Sequence, residues 1–423
     1  MIQFRRSNFQ REALAGLTNF LATCYIIIVN PLILSQCGMP FEAVVTSTVM
    51  LVVFSTLLMG LYADMPIVVA PGMGLNAFFT FSIVIGHQIP WQTALGMVFW
   101  TGILFLLMSV FRIRTAIVKA IPQSLRYGIA SGIGLFIALI GLSNAGFVVA
   151  NTNTLISRGP LTPSVLIFIV GFLITAIFLI RKNKAAFVLG ILITTLCSIP
   201  FGIIEPTAKG WISVPDFSLF FAMDLWGSLK LALFPSILAM LFTDLFDSLS
   251  TFMGLAEAGN LFDKDGEPRN VKQSLIVDAI ATTCSGIFGT SPGTAYIESA
   301  SGVTQGGRTG MTAVVTALLF LPCIFFAPML SMIPKIATAP ILILVGVFMI
   351  TPLLKINLDK LDEVIPAFLA LILIPLTYSI TQGLIWSFLC WTALKIFTGK
   401  TKELSPTLLC IDVVMILMLF INH

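Results

Sequence analysis

Long apolar runs separated by short polar breaks fill almost the whole chain, and most have the length of a membrane-crossing helix. Crossing ~30 Å of hydrocarbon takes about 20 predominantly apolar residues. Runs of this kind lie at 15–37, 42–62, 91–111, 124–145, 162–180, 185–204, 228–256, 272–288, 309–333, 336–354, 363–378 and 380–398. Two further segments, 71–86 and 292–303, are shorter and interrupted by glycine and proline. Counting both predicts fourteen crossings. A last apolar stretch, 405–421, follows a proline and carries Asp412; it reads as an interfacial segment or an extra helix.

Composition agrees with this pattern. Hydrophobic residues make up 57% of the 423 and charged residues 10%, where a soluble domain carries about 25% charged residues. No polar block is long enough to build a soluble domain, which argues against a globular enzyme with an anchor. The chain is expected to be an all-α polytopic membrane protein. The basic stretch Met1–Arg11 lacks a cleavage-site pattern, so a removable signal peptide is not expected. Seven cysteines show no CxxC spacing and lie mostly in apolar runs, where they read as small hydrophobes. Two histidines, His87 and His423, are too few and too peripheral for a metal site, and no cofactor is expected.

The basic residues test the crossing count independently. With fourteen crossings and a cytoplasmic N-terminus, 19 of the 23 Lys and Arg fall inside. They include Arg5, Arg6, Arg11, Arg112, Arg114, Lys119, Arg181, Lys182, Lys184, Lys264, Arg308, Lys355 and Lys400. Outside fall only Arg158, Lys209, Lys230 and Lys335. Dropping either short segment inverts everything after it and ruins the asymmetry, so the positive-inside rule favours fourteen, with both termini cytoplasmic. The net charge of +4 then reflects loop anchors and not nucleic-acid binding.

The two short segments resemble each other. One reads Ala70-Pro71-Gly72-Met73-Gly74-Leu75-Asn76-Ala77-Phe78-Phe79, the other Ser291-Pro292-Gly293-Thr294-Ala295-Tyr296-Ile297-Glu298-Ser299-Ala300. Each is followed by a long apolar run, an Ile-Pro pair (Ile121-Pro122, Ile333-Pro334) and another apolar helix. As segments 3 and 10 they are seven apart, so the second copy is inverted in the membrane. Pro-Gly prevents a full-length helix, and broken backbone at the midplane is tolerated only where protein or a polar cavity supplies partners. Paired interrupted helices in two inverted halves point to a transporter binding site. A proline kink that merely helps helices pack is the plainer alternative.

Four carboxylates lie inside apparent spans: Asp244, Asp247, Asp278 and Glu298. Each costs roughly 2.5–3.5 kcal/mol at mid-bilayer even on the lenient insertion scale. Asp244 and Asp247 are three apart, on one helix face, and at least one is expected to cross-link neighbouring helices. Asp278 suits a proton site or a partner to that pair. Glu298, beyond a Pro-Gly break and among Thr294, Ser299 and Ser301, has the clearest functional reading. Carboxylates accept N–H hydrogen bonds and Asn76 both donates and accepts, a mixture that fits a flat heterocycle. Phe78, Phe79 and Tyr296 are the nearby stacking candidates. An anion fits poorly, since Lys and Arg lie only at span ends.

The strings at 71–79 (PGMGLNAFF), 243–248 (TDLFDS) and 289–299 (GTSPGTAYIES) resemble the AzgA-like purine permeases, nucleobase–cation symporters related to the nucleobase–ascorbate transporters. The likeness runs from 15–23 (AGLTNFLAT) over essentially the whole chain. It implies seven plus seven inverted segments split into a core (1–111 and 228–335) and a gate (112–227 and 336–423). Segments 3 and 10 would each carry a short strand before a half-helix, with substrate between them.

The resemblance further implies substrate-binding roles for Glu298, Asp244, Asn76 and Gly74, with Ser299 and Thr294 beside them. Proton coupling falls to Asp278, twenty residues before Glu298, and to Asp247, for which a structural role is the alternative. The expected function is proton symport of adenine, guanine or hypoxanthine by alternating access, in a homodimer built through the gate domains and set in the inner membrane. A sulfate-permease-like anion transporter of the same architecture is the alternative, though that group favours a basic residue where Glu298 stands. An intramembrane enzyme finds no metal-ligand set or nucleophile–base pair in the sequence.

Overall fold

The computed structural model describes residues 9–110, 121–204, 210–263 and 268–421. Arg5, Arg6, Arg112, Arg114, Lys119, Lys209, Lys264 and His423 lie outside the described residues. The helices in chain order are α1 (Phe9–Thr23), α2 (Ile26–Leu34), α3 (Phe41–Leu61), α4 (Met73–Ala77) and α5 (Trp91–Val110). Next come α6 (Gln123–Asn144), α7 (Pro163–Ile180), α8 (Ala186–Ser198), α9 (Phe234–Gly259), α10 (Val271–Phe288) and α11 (Ala300–Gln305). The remainder are α12 (Gly310–Phe320), α13 (Ala327–Ser331), α14 (Lys335–Ile350), α15 (Leu361–Thr377), α16 (Ile380–Phe397) and α17 (Pro406–Ile421).

Among the described residues, eight helices are long and apolar enough to cross a membrane. A ninth candidate joins Ile297–Gln305 to Gly310–Phe325 through a bend of 116°. The protein is therefore a multi-pass membrane protein. Every predicted apolar run coincides with helical structure, but several pieces, including 73–86 and 186–201, are too short to count as crossings by length alone. Breaks within runs account for this: the first run is interrupted between α1 and α2, and α4 passes into a π-helix over Phe78–Gly86.

The two Pro-Gly segments meet as an antiparallel strand pair, β1 (Val69–Pro71) with β4 (Gly293–Ala295). Val69 lies opposite Ala295 and Pro71 opposite Gly293. Two bonds extend the ladder: Gly72 N–H donates to the Pro292 carbonyl at 2.9 Å, and Tyr296 N–H to the Val68 carbonyl at 2.9 Å. The Tyr296 hydroxyl also donates to the Pro71 carbonyl. Each broken segment thus supplies the backbone partners the other lacks, which is how non-helical chain survives at membrane depth. A second hairpin, β2 (Val148–Asn151) with β3 (Leu155–Arg158), joins α6 to α7 and was not expected from the sequence.

The packing repeats under exchange of segments seven apart. α3 packs on α12 and α10 on α5; α1 packs on α12 and α9 on α5; α15 packs on α6 and α7 on α14. α6 runs closely along α14 and α15 because glycine lets the backbones approach. A Cβ on Gly132 would lie 2.7 Å from the Ala370 carbonyl oxygen, and one on Gly134 2.8 Å from that of Gly346. The stretch after Pro406 is a 16-residue helix. It docks on α16, burying Leu408, Ile411 and Met415, and its Asp412 accepts from the Thr392 hydroxyl at 2.5 Å.

Candidate functional site

A cavity of about 580 Å³ lies against the break that precedes α11, within the usual range for small-molecule sites. One wall comes from α9 (Asp247, Ser250, Thr251, Gly254) and from Ile297, Glu298 and Ser301. Ala130 of α6, Phe187 of α8, and Val345, Phe348 and Met349 of α14 also line the cavity. Lys182, Asn183, Lys184 and Lys355 form its rim, and the three lysines are exposed. The lining thus combines apolar and aromatic side chains with two carboxylates, Asp247 and Glu298, and three exposed lysines.

Glu298 sits in a 3₁₀ turn, Ile297–Ser299, between β4 and α11. The turn presents the carboxylate to the cavity. The hydroxyl of Tyr25 donates to Glu298 Oε1 at 2.6 Å. Tyr25 occupies the break between α1 and α2, is completely buried, and stands edge-to-face with Phe187, ring centroids 4.9 Å apart. Phe187 in turn meets Phe348 at 6.3 Å.

The other predicted residues separate into two groups. Asp247 and Gly74 reach open space: Asp247 lines the main cavity, and both line a smaller pocket beside Ile133 and Met349. A Cβ on Gly74 would lie 2.6 Å from the Ile133 side chain, so only glycine lets the half-helix approach α6 this closely. Asp244, Asp278, Thr294, Ser299 and Asn76 are instead fully enclosed and do not line the cavity.

Asp244 and Asp247 were expected on one face. Three residues turn a helix by about 300°, leaving them some 60° apart, and that offset divides them. Asp244 Oδ2 accepts from Thr282 of α10 at 2.6 Å while Asp247 faces the cavity. Asp278 accepts from Ser248, whose Oγ lies 2.9 Å from Thr294 Oγ1. Thr282 also donates to the Gly293 carbonyl at 3.1 Å. Asp244, Asp278 and Thr294 thus belong to a buried polar network binding α9, α10 and β4 together. Ser299 Oγ accepts from Val68 N–H at 3.0 Å and so secures β1.

Asn76 points into a second buried knot. Its Nδ2 lies 3.4 Å from Asn30 Oδ1, which also accepts from Ser291 at 3.2 Å. Asn30 Nδ2 donates to Thr48 at 2.8 Å and Thr290 at 2.9 Å. Stacking candidates change as well. Phe78 and Phe79 are completely buried and Tyr296 is bonded to Pro71, so none lines the cavity; Phe187 and Phe348 do. The sequence reading missed Tyr25, Asn30, Phe187 and Phe348. Asn30, a polar residue in the apolar run Ile26–Leu34, carried the same signal as the acids; Phe187 and Phe348, among 35 phenylalanines, carried none.

The model described as "Permease family" matches residues 10–386. The adenine permease AdeP of Escherichia coli is 43% identical over 409 residues, covering 96% of this chain and 92% of that protein. The guanine/hypoxanthine permease PbuO of Bacillus subtilis is 37% identical over 427 residues, covering 99% and 98%. Among solved structures, the transmembrane domain of the cyanobacterial bicarbonate transporter BicA superposes with a TM-score of 0.71 at 17% identity, covering 91% of this chain and 98% of that one. The murine anion transporter Slc26a9 in its inward-facing state gives 0.64 at 10% identity, covering 95% and 69%. At those identities the likeness is one of fold.

Proposed function

Because this chain belongs to the Permease family, we propose that it is a proton-coupled importer of purine nucleobases working by alternating access. The observation that carries this reading is Glu298, a cavity-facing carboxylate held by Tyr25 at the break of segment 10, in a chain 43% identical to an adenine permease. In this reading Glu298 and Asp247 accept ring N–H groups and Phe187 and Phe348 flank the ring. The buried Asp244–Thr282 and Asp278–Ser248 pairs support the half-helices, with Asp278 the candidate for the coupled proton.

Segments 1–4 and 8–11 would form the core and 5–7 and 12–14 the gate, giving fourteen crossings. The related packing of segments seven apart supports this division. The rim lysines Lys182, Lys184 and Lys355 all fall on the predicted cytoplasmic side, so the conformation described is taken as inward-facing. Placement in the inner membrane, cytoplasmic termini and a homodimer through the gate complete the proposal. An anion carrier shares the fold, but two carboxylates in the cavity wall would repel its substrate.

Uptake of radiolabelled adenine, guanine and hypoxanthine into cells or proteoliposomes, with and without a protonophore, tests the reading. Accumulation abolished by the protonophore is expected. Failure to take up any of the three bases defeats the substrate assignment, and protonophore-insensitive accumulation defeats the coupling.

A further inference from the structure

We propose that Tyr25 is a positioning residue that sets which purines Glu298 accepts; the inference rests on the nucleobase reading of the cavity. The hydroxyl of Tyr25 donates to Glu298 Oε1 at 2.6 Å from a completely buried ring, whereas Glu298 itself lines the cavity. One carboxylate oxygen is therefore held toward α1 and α2, and the other is the acceptor turned to a ligand. The edge-to-face contact of the Tyr25 ring with Phe187, at 4.9 Å, holds the ring in place. The carboxylate is consequently oriented by groups outside its own segment.

This arrangement discriminates by chemistry. A base offering a single N–H donor needs only the free oxygen, and a hydrogen bond from a neutral donor to an oriented carboxylate is strong. A base offering two parallel donors, as guanine does through N1–H and its 2-amino group, gains its full advantage only when both oxygens are available as a pair, as in a carboxylate fork. Tyr25 already donates to one of the two, so the second donor of such a fork must share Oε1 with the Tyr25 hydroxyl. The site thus favours adenine or hypoxanthine over guanine.

The test is Tyr25→Phe in the full-length protein, purified and titrated calorimetrically with adenine, hypoxanthine and guanine. Glu298 is only partly buried, so its carboxylate keeps the solvent of the cavity and the variant is expected to fold. Adenine affinity is expected to fall about tenfold, the usual worth of one hydrogen bond to a charged group. Guanine affinity falls less, so the adenine-to-guanine ratio shrinks while the melting temperature holds. An unchanged ratio overturns the proposal, as does a lowered melting temperature with wild-type affinities, which makes Tyr25 a packing residue. Wild-type protein that binds none of the three purines overturns the nucleobase reading instead, and is thereby told apart from failure of the Tyr25 proposal.

Discussion

Gly72 gives its backbone N–H to the carbonyl of Pro292 at 2.9 Å, so the two Pro-Gly breaks are bonded directly to each other. Residues 220 apart in sequence thereby close a single element from which both half-helices start. The lateral space is equally tight: a Cβ on Gly72 would stand 2.7 Å from the Thr294 methyl. Gly72→Val is expected to destabilise the protein by about 1–3 kcal/mol, the usual cost of overpacking. A melting curve in detergent checks this, and a wild-type midpoint would contradict the tight crossing.

Glu298 and Asn76 should respond differently to substitution, although the sequence alone makes both look like ligand contacts. Glu298→Gln is expected to lower purine affinity by at least tenfold while leaving the melting temperature close to wild type, because the side chain faces a cavity. Asn76→Ala is expected to lower the melting temperature by removing a buried partner of Asn30. Calorimetric binding and thermal melting of both variants decide the matter. Wild-type stability of Asn76→Ala with lost binding would return Asn76 to the substrate site.

Aromatic flanking is assigned to Phe187 and Phe348. Phe348→Ala should weaken purine binding by roughly tenfold, within the range of one base–aromatic stack, whereas Phe79→Leu should act on stability alone. Competition binding on the two variants separates these expectations.

Asp278 is fully enclosed and accepts from Ser248. If it carries the coupled proton, Asp278→Asn should retain purine binding and exchange but lose protonophore-sensitive accumulation. Counterflow and concentrative uptake measured side by side in proteoliposomes give the answer; concentrative uptake at the wild-type level would exclude Asp278 from coupling.

Lys395 is 1% exposed and bonds both Asp362 and Glu403 at 2.6 Å. Replacing it by Met removes the shared partner of two acids. Asp362 keeps Lys400 at 2.7 Å and Glu403 is half exposed, so the second cation and solvent offset part of the loss. A destabilisation of about 1–3 kcal/mol is expected, read as a lower melting temperature with purine affinity unchanged.

The pattern of apolar runs was sufficient to locate the helices, because crossing lipid demands long hydrophobic stretches, and the two Pro-Gly segments stand out as the interrupted ones. The same logic singled out the buried acids and the two Pro-Gly breaks, since each is costly in hydrocarbon and stands out against it. What sequence did not determine was direction. Asp244 and Asp247 lie three apart and so some 60° apart around the helix, but only the packing of α9 against α10 decides which of the two is enclosed and which reaches the cavity. Tyr25 reaches Glu298, and Phe187 reaches Tyr25, across contacts that no local pattern encodes. Identity and depth of the polar groups are properties of the chain; which of them face a ligand and which hold the helices together is settled only when segments from both halves come into contact.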